Sequence, residues 1–279
     1  MKAIPFWKME SVGNNFVLIH LEDNASLIEF LPTLAVKASD RHFGIGSDGL
    51  LALRATGPNR LFLRMFNPDG TEDFCGNGLR CAIAHAIGEC WFNAGDFVVD
   101  HFGKRVEGAV DDQGAFSYRF EPASYDPAAI PTVASGELFD TELLEIEGKS
   151  YRGSVLSTGT AHTLLPVSEL PGDEEFFRVS PLIESHPLFP ERTSVMWVME
   201  EARSKLRLRI WERGAGETWG CGSGSAAAAI DYLRRNDLKE ACVQVVNPGG
   251  VLEFRFPAWN EPGFSYGPAR EVFRGRFYV

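Results

Sequence analysis

The chain has 279 residues, 44% of them hydrophobic, and a formal net charge of −11. That is enough apolar material to bury the core of one large domain or two medium ones, and it argues against a disordered chain. The acidic balance argues against a general nucleic-acid binder, which needs a basic face.

The opening residues, MKAIPFWKMESVGNNF, lack the apolar core of a signal peptide. No window approaches the roughly 18 apolar residues of a membrane span. A cytoplasmic location with reduced thiols is expected, with no membrane and no nucleic-acid partner. Short strand-like runs then recur at 16–20, 50–53, 61–65, 97–99, 115–120, 206–211 and 243–246, punctuated by Gly, Pro, Asn and Asp. Two stretches rich in Ala, Leu and Ile, 76–89 and 222–235, predict helices. Many strands and few helices predict an α+β protein rather than a regular βαβ alternation. Residues 121–131 (EPASYDPAAIP) hold three prolines and read as a linker between two halves.

The halves repeat each other. Cys75-Gly-Asn-Gly-Leu-Arg-Cys-Ala-Ile-Ala is matched, 146 residues on, by Cys221-Gly-Ser-Gly-Ser-Ala-Ala-Ala-Ala-Ile. Each copy is a cysteine, a Gly-x-Gly and a small-residue helix. Two similar domains facing each other across a cleft are the simplest account. A helix N-terminus offers unpaired N–H groups and partial positive charge, and glycine lets a ligand approach, so each copy is a site for a carboxylate or phosphate. A thiol just before such a helix is expected to fall below the ordinary value of about 8.5. Two such cysteines flanking one α-carbon could invert it. One thiolate removes the proton and the opposite thiol delivers another, with no metal and no pyridoxal. Of the five cysteines, Cys75 and Cys221 are the candidates for this work. Cys81, Cys90 and Cys242 are expected to be core packing. No CxxC pair is present, so neither a zinc site nor a disulfide scaffold is indicated.

At these residues the sequence resembles the diaminopimelate epimerase family. The resemblance also runs through Phe6-Trp7-Lys8-Met9, Gly13-Asn14-Asn15-Phe16, the block from Arg41 to Leu50, Phe66-Asn67-Pro68-Asp69-Gly70, Trp211-Glu212-Arg213-Gly214 and Gly267-Pro268-Ala269. It implies a domain of residues 1–121 completed by about 267–279, and a second of 122–266. Each is a barrel-like mixed sheet around a central helix, with the active site in the cleft between. It implies a cofactor-free amino-acid epimerase, acting on LL-/meso-diaminopimelate in lysine biosynthesis, and a homodimer. Cys75 and Cys221 are then acid and base. Gly76, Asn77, Gly222 and Ser223 hold the α-carboxylate with Asn14 nearby. His162 and Glu212 tune the thiols or orient the α-amine, and Asn67 and Arg213 grip the distal end.

The sequence departs from the family pattern where specificity is set. Gly159-Thr160-Ala161-His162 stands for Gly-Asn-Pro-His, Ser194 stands for an asparagine, Gly49 replaces a larger polar residue, and the stretch from Asn67 to Cys75 is about one residue short. Thr160 and Ser194 keep a hydroxyl but reach less far than an amide. A racemase for another amino acid, such as histidine, is therefore the alternative. A non-catalytic binding protein of the same fold and a phenazine-type isomerase with a carboxylate base are weaker ones, because both cysteines are retained. Glu212-Arg213 could also be a surface ion pair, and Asn67-Pro68-Asp69-Gly70 an ordinary turn.

Overall fold

The computed structural model describes residues 3–21 and 27–278, and these divide into two units. The first comprises Met1–Arg119 with Gly267–Val279, the second Phe120–Tyr266.

In the first unit, β1 (Ala3–Ser11) and β2 (Asn14–His20) form a hairpin. Its two-residue turn puts both Val12 and Gly13 at positive φ, 46° and 85°. That is the sense tight hairpins prefer, but it strains a β-branched valine. Burial of the Val12 side chain, 1% exposed, holds it there. Helix α1 (Leu31–Ser39) follows, then the hairpin of β3 (Leu50–Gly57) and β4 (Arg60–Phe66). Strand β3 runs parallel to β2. Helix α2 (Gly76–Gly88) follows, then β5 (Gly95–His101) parallel to β4, with β6 (Lys104–Val110) and β7 (Phe116–Phe120) continuing antiparallel. Leu79, Cys81, Ala82, Ile83 and Ala86 of α2 are fully buried against the surrounding strands. Each large apolar side chain so enclosed contributes roughly 1.5–3 kcal/mol.

The second unit repeats the plan. A hairpin of β8 (Thr141–Ile146) and β9 (Lys149–Ser157) leads to β10 (Ala161–Val167), α3 (Asp173–Glu184), and the hairpin of β11 (Ser194–Ala202) and β12 (Lys205–Glu212). The short β13 (Gly216–Glu217) pairs with β12, and α4 (Gly222–Arg235) follows. Strands β14 (Ala241–Asn247), β15 (Gly250–Phe256) and β16 (Gly263–Tyr266) complete the unit. Helix α4 buries Ala226–Ala229, Ile230 and Leu233 among β9, β10, β11, β12, β14 and β15. The last strand, β17 (Arg270–Tyr278), pairs antiparallel with β1 and closes the first unit. Each unit is thus a mixed sheet packed about one central helix, as the α+β reading requires.

Three expectations change. Helices α1 and α3 are absent from the sequence reading, because neither has a side-chain cap to mark its start and Pro181 lies inside α3, while Pro32 sits in the first turn of α1. In both, tertiary burial outweighs propensity: Phe176, Val179 and Ile183 form an apolar stripe on α3. Residues 121–131 are no loose linker. Ser124 pairs with Ser157 through both backbone bonds, and Tyr125 and Ile130 are buried. Cys81 is buried as expected, but Cys90 and Cys242 are exposed. Cys90 lies just beyond α2 at φ 57°, and Cys242 occupies an outward-facing position of β14.

Candidate active site

Each unit places a cysteine at the mouth of its central helix. Cys75 is the N-cap of α2 in extended conformation, and its Sγ accepts from Gly78 N at 3.4 Å. Cys221 is the N-cap of α4, and its Sγ accepts from Gly224 N at the same 3.4 Å. The second glycine of each motif lies close against a side chain that an added Cβ would displace. A Cβ on Gly78 would lie 2.9 Å from Leu51 Cδ2, and one on Gly224 would lie 2.4 Å from Met196 Cε. Gly76, Asn77, Gly222 and Ser223 form the first turns, whose N–H groups point out of the helix mouth rather than into the helical ladder.

In the first unit Asn14 and Asn77 meet. Asn77 Nδ2 donates to Asn14 Oδ1 at 2.7 Å, although the residues are 63 apart in the chain. Asn67 sits in a separate turn, where its N donates to Thr71 O at 2.8 Å and its Nδ2 donates to Thr71 Oγ1 at 3.0 Å. Gly49 has no room for a larger residue, since its Cβ would lie 2.7 Å from Phe66 O.

In the second unit the sheet register assembles the rest. Strand β10 pairs His162 with Ser194 of β11, and β11 runs against β12, which ends at Glu212. His162 Nε2 bonds to Thr160 Oγ1 at 3.1 Å. Its Nδ1 is buried without a partner, and burial pushes the imidazole down to about 3, with Arg213 adding to the effect. Ser194 Oγ accepts from Arg213 N at 3.1 Å, and Arg213 NH1 donates to Glu191 O. Both replacement hydroxyls are thus engaged within the unit.

Cys221 departs from the electrostatic expectation. Burial raises its thiol well above the ordinary value, and the Glu212 carboxylate, bonded to the thiol, raises it further. The Ser223 hydroxyl and Gly224 N–H oppose this but lose. Glu212 is itself held by Thr218 Oγ1 at 2.6 Å. Desolvation outweighs the helix field here because Cys221 is only 5% exposed. Glu212→Gln is therefore expected to move the pH midpoint of Cys221 alkylation down, because it removes the neighbouring like charge. Mass spectrometry after iodoacetamide pulses from pH 6 to 10 reads the shift, and an unmoved midpoint would refute it.

Two residues were not singled out from the sequence. Cys75 N donates to His101 Nε2 at 3.2 Å, and Cys221 N donates to Asn247 Oδ1 at 3.4 Å. In both cases the acceptor lies 26 residues after the cysteine, at the end of a strand. Two acceptors at the same offset in both copies are a repeat signal visible in the sequence once the copies are aligned. His101 is buried and held down to about 4 by desolvation, so it is neutral and Nε2 can accept. Asn247 is fixed in turn by Ser225 Oγ, which donates to its Oδ1, and by its own bond to Val245 O.

Solved structures define the class to which this architecture belongs. A PhzF-family phenazine biosynthesis protein of Bacillus anthracis matches with a TM-score of 0.67 over 100% of both chains at 15% identity. A hydroxyproline epimerase of Agrobacterium vitis matches with a TM-score of 0.67 over 99% of this chain and 91% of its own at 10% identity. The fold is therefore one used by epimerases and related enzymes. The family model for diaminopimelate epimerase matches residues 6–125 and 154–271. Curated diaminopimelate epimerases of Moorella thermoacetica, at 35% identity over 98% of both chains, and of Ralstonia nicotianae, at 37% over 97% of this chain and 94% of the other, agree. The chain belongs to the diaminopimelate epimerase family.

Proposed function

We propose that this isomerase interconverts LL- and meso-diaminopimelate by two-base inversion at one α-carbon, with Cys75 and Cys221 as the bases, as a step of lysine biosynthesis. The observation that carries the reading is the matched pair of cysteine N-caps, each with Sγ 3.4 Å from the second glycine's N–H, in a chain of this family.

One thiolate takes the α-proton and leaves a carbanion delocalised into the carboxylate. The thiol on the opposite face gives up its S–H proton to the carbon. The stereocentre is inverted, and thiolate and thiol have exchanged places. The reverse reaction runs with the roles swapped. The N–H groups of Gly76, Asn77, Gly222 and Ser223, with the Asn14 and Asn77 amides, take the charge that develops on the carboxylate. Glu212 and His162 flank the second thiol and the α-amine. Neutral His162 adds no charge and keeps its Nδ1 for a donor or acceptor. Arg213 offers a fork to the distal carboxylate, assisted by Asn67, Thr160 and Ser194.

Incubation in D₂O with LL-diaminopimelate and a panel of L-amino acids including histidine tests the substrate. Deuterium at the α-carbon with formation of the meso isomer is the expected result for diaminopimelate alone. Turnover of histidine or a neutral amino acid, with none of diaminopimelate, would overturn it.

A further inference from the structure

We propose that Arg80 and Asp48 are positioning residues that fix the polarity of the Asn77–Asn14 amide pair, so that both amides present N–H groups rather than carbonyls to a substrate carboxylate. This rests on the reading of the first unit's half-site as a carboxylate site.

The argument begins with a buried cation. Arg80 is fully enclosed on α2, one turn after Asn77. Its guanidinium donates to Ser11 Oγ at 3.3 Å, to Tyr118 OH at 2.6 Å and to Asn77 Oδ1 at 2.7 Å. Ser11 is held in turn by its own bond to Pro268 O. A guanidinium has donors only, so the Asn77 atom facing it has to be the oxygen. That turns Asn77 Nδ2 onto Asn14 Oδ1 at 2.7 Å. Asn14 Nδ2 is then turned onto Asp48 Oδ2 at 3.3 Å. An ionised carboxylate only accepts, so this end also admits a single orientation. Asp48 is held by Asn15 N at 2.9 Å and Asn15 Nδ2 at 2.7 Å, while Asn15 Oδ1 accepts from Lys8 Nζ.

The chain of bonds therefore runs from a cation that can only donate to an anion that can only accept, with two amides between. Flipping either amide sets donor against donor or oxygen against oxygen. Both amide oxygens face donors inside the chain, and each Nδ2 keeps a second N–H for a carboxylate. The second unit lacks the device. At the positions 146 residues on from Asp48, Arg80 and Tyr118 stand Ser194, Ala226 and Phe264. Thr160 and Ser223, whose hydroxyls can both donate and accept, stand where Asn14 and Asn77 do. The fixed donor polarity belongs to the first half-site alone.

The test uses Asp48→Asn, Arg80→Met and Arg80→Lys in the whole protein. Asparagine at 48 can also donate, so the tail of the chain loses its direction. Methionine at 80 removes the head, and lysine keeps one donor for Asn77 Oδ1. Losing a charge-assisted bond of this kind corresponds to a tenfold or larger effect, so Asp48→Asn and Arg80→Met are expected to raise KM about tenfold or more with kcat within about threefold. Arg80→Lys is expected to recover most of the loss. The Asn77 side-chain amide, followed by NMR without ligand, is expected to exchange its hydrogens about tenfold faster in Asp48→Asn. That signal needs no turnover. A wild type that inverts no diaminopimelate would sink the functional reading, whereas unchanged amide exchange and a KM within about twofold in folded Asp48→Asn would overturn this inference. Should Arg80→Met not fold, Asp48→Asn decides alone.

Discussion

Cys75→Ser and Cys221→Ser are each expected to lose inversion by about 10³-fold or more in both directions, the scale of a removed acid–base group. The reasoning is that neither thiol is dispensable in either direction. The one that acts as base on one isomer acts as acid on the other, so a single loss breaks both paths. Serine is the informative replacement because the fold should tolerate it. An N-cap accepts from the helix N–H groups, which Oγ does at least as well as Sγ, and serine is among the preferred caps. Alanine would remove the cap as well, at about 1 kcal/mol, and mix stability with chemistry. A serine hydroxyl, however, is far too weak an acid to supply a thiolate-like base at neutral pH. The measurement is formation of the meso isomer from LL-diaminopimelate in D₂O, alongside far-UV circular dichroism. A folded Cys75→Ser or Cys221→Ser that inverts within tenfold of wild type would remove the two-base scheme.

The parts of this site that were legible in the sequence are those carried by local pattern. The Gly-x-Gly after each cysteine reports a helix start, and α2 and α4 begin at Gly76 and Gly222 as that pattern requires. The strand cores at 61–65, 97–99 and 206–211 fall inside β4, β5 and β12 for the same reason. What was not legible depends on which strands lie side by side. Arg80 reads as one more polar residue on a small-residue helix, yet it is fully buried because Ser11 and Tyr118 arrive from β1 and β7 to receive it. His101 and Asn247 reach the cysteine backbones only because the strands ending at them pass beneath the helix mouths. The Cys221 thiol departs from the sequence expectation for a related reason. The helix field is a property of sequence, but the desolvation that outweighs it is a property of packing.

Packing also sets the second large effect, a loss of stability in weak acid. Three histidines are held below their ordinary value chiefly by burial: His85 and His162 at about 3, and His101 at about 4. Each is neutral in the folded chain and ionises near 6.5 when unfolded. The unfolded state therefore binds more protons between those values, so stability is complete above about 6.5 and declines as pH falls toward 3 to 4. At pH 5 each histidine costs roughly 2 kcal/mol relative to pH 7, and the three together cost at most about 6 kcal/mol, comparable to the whole stability of many domains. The window from 6.5 to 5 lies above the ordinary carboxylate range, so the histidines dominate it. His101 adds a functional consequence. Protonation at Nε2 turns the acceptor of the Cys75 N–H into a donor, and the bond that fixes the cysteine backbone becomes a clash. His101→Asn installs the side chain that serves Cys221 at the matching position and removes the titration. Wild type is expected to lose several degrees of Tm per histidine between pH 7 and 5 by calorimetry, and His101→Asn to lose measurably less. A Tm that is flat across that interval would show that these imidazoles gain protons as readily folded as unfolded.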